Sequence, residues 1–489
     1  MDRRKLINYG IFALVVIFVV GLAINHTRHI QAMVNDMVSG TPAQRIAAAK
    51  NLLVSEQFAD AITGDSVHVR LKAVGALQLL GNADAIKQLL AMLKDISKTV
   101  HDRAVQALIA IGDKSDSNIS QLAGGLGDGD INVQRGTVKA MEVIGPQPNL
   151  ITQVVAQIKS SAGARSSAGD VLGSFGPRPD TLAQLSTLLK DSDPDVRAGA
   201  ASALGKTKNP AAIPELITLS QTDTPQVRRV AIEAIALIGN IAGQATLIQA
   251  INDPNADNEA RIEAATGLGR IGTPTAIATL IRALDDFDLK LRIAAQGALA
   301  RIGMPAVPDL MQTIKSNSPI IRKEVCSIFG AIGSPRLNGA LETALKDPVK
   351  DVREAAARAL GQPNNAAAIP ALMNALKDPS GTVASAASQS LGRIGLPAAP
   401  ALIKGFGDNK LTAYYCSTAL SKMGAPVLPL IEKAAQNSAD QRWAAVVLGN
   451  LGIAEAKPTL QKLARASNPD TRYVAQQALY KMGVPTTAQ

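Results

Sequence analysis

One pattern returns about every 31 residues from Val69 almost to the end of the chain. A chain built this way is restricted to a stack of small units, each burying its apolar side only against its neighbours. The clearest copy is Asp193-Pro194-Asp195-Val196-Arg197, followed by Ala200, Ala203, Leu204 and Gly205. The same frame holds Val69-Arg70, Val227-Arg228, Ala260-Arg261, Leu291-Arg292, Ile321-Arg322, Val352-Arg353 and Thr471-Arg472. Weaker copies stand at Val100-His101, Val133-Gln134, Ala164-Arg165, Val383-Ala384, Thr412-Ala413 and Gln441-Arg442. These make fourteen units, with a degenerate one before them around Arg45.

Each unit reads as two helices. The second begins where an Asp or Ser can cap it, and its apolar residues then recur at helical spacing, as in Val69, Ala73, Leu77 and Leu80. A closing Gly suits the left-handed residue that ends a helix. Pro then falls near the first turn of the next helix, as in Ala212-Ile213-Pro214, Ala306-Val307-Pro308, Ala398-Ala399-Pro400 and Val427-Leu428-Pro429. Aromatic residues are only 3% of the chain, so burial has to come from many small Ala, Leu, Ile and Val contacts. Stacked helices supply these.

The run Asp-x-Asp-Val-Arg-x-x-Ala-x-x-Ala-Leu-Gly resembles the HEAT-like repeat of the phycobilisome-lyase type, over roughly residues 41–485. The resemblance implies an all-α, right-handed α-solenoid of about fourteen helical hairpins. It does not specify function, since the same repeat serves enzymes, scaffolds and adaptors. In this repeat type the recurrent Arg ties adjacent hairpins together. The expected structural ladder is Arg70, Arg165, Arg197, Arg228, Arg261, Arg292, Arg322 and Arg353, fixing the stacking angle between repeats through bidentate Arg–Asp hydrogen bonds.

Leu6 to Ile24 is almost wholly apolar and just long enough to cross a hydrocarbon core of about 30 Å. Arg3, Arg4 and Lys5 precede it and only Arg28 follows closely, which orients the N-terminus inward. The expected organisation is a cytoplasmic basic tip at 1–5, one transmembrane anchor at 6–24, a helical linker at 25–40 and the solenoid at 41–489. The competing reading is a cleaved signal peptide ending at Gly21-Leu22-Ala23. The expected location is a bacterial inner membrane, with the solenoid in the periplasm.

Groups for catalysis are few: four His and two Cys. His68 and His101, near Asp65 and Asp102, fall short of a metal's ligand set and read as surface residues at a turn. HEAT-like metal hydroxylases carry His-Glu pairs, and this sequence contains no His-Glu dipeptide. Gly205-Lys206-Thr207 lacks the earlier Gly and the leading strand of a phosphate loop, and the Gly-rich stretch from Gly124 to Gly129 reads as a flexible turn. Cys326 and Cys416 lie three units apart and read as core residues. The chain is accordingly expected to need no cofactor or metal and not to be an enzyme.

Binding is the remaining use of such a surface. Four of the five Tyr and the only Trp follow residue 410, and the last 89 residues carry +5 of the formal net charge of +10. Tyr414, Trp443 and Tyr473 share the slot after the Arg position; with Tyr415, Arg442 and Arg472 they make a candidate partner-binding patch, Lys422 at its margin. The alternative use of these rings is to cap the open end of the stack. The expected function is a membrane-anchored, extracytoplasmic protein-binding scaffold or adaptor in a multi-subunit envelope assembly, without nucleic acid as partner. The alternative is a lyase-type HEAT-repeat enzyme or enzyme-maturation factor, which an acid or His cluster on the second-helix face would support.

Overall fold

The computed structural model describes residues 66–113 and 115–484, together with Thr41, Gln44 and Ala47. The tip, span and linker placed at 1–40, and the degenerate unit near Arg45, lie outside the described residues. Twenty-seven α-helices follow one another from Val67 to Lys481, with no strand among the described residues. They alternate between second helices of 10–14 residues, such as Pro194–Thr207 and Pro319–Ile332, and first helices of 6–13 residues, such as Ile213–Thr222 and Val307–Thr313. Fourteen second helices are present, one for each sequence unit.

The apolar stripe explains why these segments become helices that stack. In Pro194–Thr207 the buried residues include Val196, Ala200, Ala201, Ala203 and Leu204. The same slots give Val352, Ala356, Ala359 and Leu360 in Lys350–Leu360. Eight of the thirteen first helices open on a single 3-10 turn, as Pro210–Ala212 before Ile213–Thr222 and Leu396–Ala398 before Ala399–Lys404. Pro214 and Pro400 then occupy first-turn positions, where a missing N–H costs no helical hydrogen bond.

Two glycine slots that look alike in sequence do different work. Gly272 closes Asn258–Ile271 with φ 66° and donates its N–H to Leu268 O. Gly205 does not end its helix, which runs on to Thr207 before Lys208 takes φ 54°. A Cβ on Gly205 would lie 2.8 Å from Ala234 Cα in the next second helix, so this glycine serves close approach.

The chain divides into two compact units, one up to Thr246 and one from Leu247. Within each, second helices pack on second helices, as Pro194–Thr207 on Pro225–Ile238 and Pro319–Ile332 on Lys350–Leu360, while first helices form the other layer. The core is aliphatic apart from a few rings, of which Phe329 is the largest fully buried side chain. Cys326 and Cys416 are both free and buried.

Candidate functional site

The recurrent Arg is the first feature the stack places. Arg322 Nε and Nη2 grip Asp347 at 2.7 and 2.9 Å, while its Nη1 donates to the carbonyls of Ser316 and Asn317 in its own hairpin's turn. Asp347 also accepts from Val349 N–H at 2.9 Å, and its carbonyl takes Arg353 Nη1, whose fork grips Asp378. The link therefore passes from turn to turn. Arg70–Asp95, Arg197–Asp223 and Arg261–Asp286 are equivalent. The partner Asp lies 25 or 26 residues downstream in the next hairpin, not beside the Arg. Asp286 is thus an ion-pair member. Arg292 reaches only backbone carbonyls, because Asn317 stands where its Asp would be. Arg165 lies 3.5 Å from Asp195, and Arg228 has no carboxylate partner among the described residues.

These forks move carboxylate titration. The hydrogen bonds of Arg197 are the main reason Asp223 stays below the usual carboxylate range. Burial pushes Asp347 and Asp378 up, but the Arg322 and Arg353 forks and a turn N–H outweigh it, and both end lower. The folded chain then takes up protons less readily than the unfolded chain. Its stability from these groups is complete above the unfolded carboxylate value of about 4 and is lost as pH falls through the lower folded values. The urea midpoint is therefore expected to drop between pH 5 and pH 3, and to drop less in Asp347→Asn.

A groove lies on the outward face of the second-helix layer in the second unit. Helices Pro319–Ile332 and Lys350–Leu360 line about 530 Å3 with Lys323, Ser327, Asp351, Glu354, Arg358 and Gln362, and Arg393 closes it from Gly381–Ile394. An adjoining depression of about 520 Å3 is lined by Arg358, Gln389, Gly392, Arg393 and Lys422. Counted from the Arg position, all of these residues but Asp351 and Gly392 fill slots one, five and nine, four residues apart and so on one helix face. Glu354 accepts from Arg358 at 2.6 Å, and that bond holds its carboxyl below the usual range. Arg393 Nη2 donates to Arg358 O at 2.9 Å and Ser390 Oγ at 3.0 Å. Burial, and then the charge of Arg358, pushes the Arg393 guanidinium down from its ordinary value.

Such a groove can hold charged, extended ligands. It offers little for nucleophilic chemistry: Ser327 Oγ is spent on Lys323 O, and burial pushes both cysteine thiols up to about 12. His101 Nδ1 sits 2.9 Å from Leu93 O. Among the described residues no three His, Cys, Asp or Glu are grouped to hold a metal. Of the groove residues, only Lys422 is singled out by the sequence. The signal for the others is present but dispersed, since Arg358 and Arg393 become neighbours only when the repeats are set in register.

The aromatic slots are placed on three adjoining second helices. Tyr414 and Tyr473 are exposed and Trp443 is half-buried beneath Arg442, whose guanidinium carbon is 5.2 Å from the ring centroid. Tyr415 instead leans on Tyr414 edge-on and offers its hydroxyl to Gly381 O at 3.4 Å. Arg472 is spent on the carbonyls of Ala466 and Ser467, and Arg442 lies 3.3 Å from Asp470. Tyr480, 70% exposed, joins this end and falls outside the sequence-derived patch.

Fold and groove together define an all-helical repeat protein with a polar second-helix face. HEAT repeats match at residues 148–236, 219–296, 277–348 and 337–413, more than half of the chain, and the chain belongs to the HEAT-repeat family. It is 31% identical over 114 residues to the deoxyhypusine hydroxylase of Mus musculus, covering 22% of this chain and 37% of that protein. The Homo sapiens enzyme matches over 110 residues at 31%, covering 22% and 36%. The chain thus spans little more than a third of the length of these curated relatives. Among solved structures, human deoxyhypusine hydroxylase in complex with glycerol matches at 25% identity and TM-score 0.23, covering 50% of this chain and 95% of that one. The Kap95:Nup1 complex matches at 14% and TM-score 0.39, covering 94% and 71%.

These findings correct three expectations. Relatives that are a HEAT-repeat enzyme overturn both the reading as a non-enzyme and the reading as an envelope scaffold or adaptor, and favour the enzyme-type alternative. The inner-membrane, periplasmic location is overturned as well. None of the described helices is long and apolar enough to cross a membrane, and the relatives are mammalian enzymes. The physical reason lies in the repeat: no described helix exceeds 14 residues, a rise of about 21 Å against a core of about 30 Å. The segment 6–24 lies outside the described residues.

Proposed function

We propose that this is an enzyme-type HEAT-repeat protein of the lyase kind, an enzyme or enzyme-maturation factor that acts on another protein held across the second-helix face. The observation that carries the reading is the 31% identity with deoxyhypusine hydroxylase over 114 residues. The hydroxylase reaction itself is not carried over, because this chain has no His-Glu dipeptide and its described residues offer no metal-ligand group. What remains is the holding of a polypeptide, for which the paired charges of Asp351, Glu354, Arg358 and Arg393 are suited. Tyr414, Trp443 and Tyr473 continue the slot that supplies Lys323 and Glu354, and serve as apolar anchors for the same partner. The Arg–Asp links fix the spacing between the helices that bear these groups.

The reading is tested by crosslinking the full chain to its partners in its own cells and comparing the intact mass of each captured protein with and without the chain. A captured protein whose covalent mass depends on the chain is the expected result. Partners of identical mass in both strains would remove the enzyme and maturation readings together.

A further inference from the structure

The depression between Gly381–Ile394 and the end of Lys410–Ser421 differs from the rest of the groove in its charge. Arg358, Arg393 and Lys422 line it with Gln389 and Gly392, and no carboxylate does. Arg393 uses only Nη2, which leaves the Nε and Nη1 donors without a partner among the described residues. Lys422 Nζ makes no hydrogen bond or ion pair among the described residues. Gly392 lets the Lys422 stem lie against its helix, since a Cβ there would be 3.3 Å from Lys422 Cβ. Neighbouring cations in the repeat are treated differently: Lys206 at the same slot pairs with Asp170 at 2.7 Å. Arg358 is balanced by Glu354 at 2.6 Å, but Arg393 and Lys422 face the same cavity with no carboxylate partner among the described residues; they repel one another, and an anion relieves that repulsion.

We propose that the Arg358–Arg393–Lys422 end of the groove binds an acidic segment of the partner protein, a run of Asp or Glu side chains. This rests on the reading of the groove as a polypeptide-holding face and names the chemistry of what is held. A polypeptide fits better than a nucleic acid because the groove continues into Asp351 and Glu354. Those carboxylates repel a phosphate backbone, whereas a polypeptide can follow its acidic run with a Lys or Arg. The segment thus lies in one direction, acidic end over Arg393.

The test is fluorescence anisotropy of the full chain with labelled hexaglutamate, hexalysine and a short single-stranded DNA of matched charge. Hexaglutamate is expected to bind and to weaken about tenfold when salt is raised from 50 to 300 mM, as screened contacts do. Arg393→Gln and Lys422→Gln are each expected to weaken it about fivefold or more, and Lys462→Gln, on the first-helix layer, to leave it unchanged. Lys422→Gln guards against misfolding, since that ammonium supports nothing in the fold. Equal binding by wild type and both groove variants, or tighter binding of the DNA, overturns the proposal. The two readings separate in failure. A captured protein without any mass change leaves the peptide result standing, and a modified partner with no affinity for hexaglutamate leaves the enzyme-type reading standing.

Discussion

Replacing Asp347 with Ala is expected to lower the unfolding free energy by about 3 kcal/mol, read from urea denaturation of the full chain. Arg322 and Asp347 are mostly buried, at 14% and 10% side-chain exposure, so removing the carboxylate leaves a guanidinium without its counter-charge in a partly dry site. The same oxygen also holds the Val349 N–H, which loses its acceptor. The molecule contains its own control, because Arg292 faces Asn317 at the equivalent place. Asp347→Asn is therefore expected to retain part of the lost stability. A loss below about 0.5 kcal/mol in Asp347→Ala, the range of an exposed pair, would mean that the link does not hold the hairpins together.

The second large effect is expected at Phe329. It is 1% exposed and lies on the helix that contributes Lys323 and Ser327 to the groove. Truncation to Ala should cost about 3–5 kcal/mol through lost burial and the cavity left behind. Phe287 is 91% exposed, and its replacement by Ala should stay within about 0.5 kcal/mol. Matched thermal melts of the two variants decide the matter; a Phe329→Ala melt that overlays wild type would mean that the core closes around smaller side chains.

The helical stack was readable because one slot, Val-Arg, survives in most copies and fixes the register of all the rest. The same register carried the apolar stripe and the first-turn Pro residues such as Pro214. What it did not reveal were relations between copies. The start of Arg322's own helix holds Ser318 and no Asp, and its partner Asp347 stands 25 residues on in the next hairpin, a relation set by stacking and not by proximity along the chain. Gly205 lies eight residues after its Arg and Gly272 eleven, so the first serves close approach of the next helix and the second closes its own, a distinction that the residue type alone does not show. The groove was missed for a related reason. Aromatic residues stand out in a chain with few of them, whereas Arg358, Arg393 and Lys422 are ordinary surface cations until three hairpins bring them over one cavity. The apolar run at 6–24 pointed to a membrane, and the relatives pointed instead to an enzyme.

The turn-to-turn linkage has a consequence for how such a chain can change its size. Asp347 satisfies the Arg of the hairpin before it through its carboxylate and the Arg of its own hairpin through its carbonyl. A joint of this kind is complete in itself, with nothing in it that counts how many hairpins stand on either side. Inserting or deleting one whole period within a unit would move a joint without breaking its chemistry. Length is therefore a free variable of the gene, and the groove can be widened or shortened one hairpin at a time.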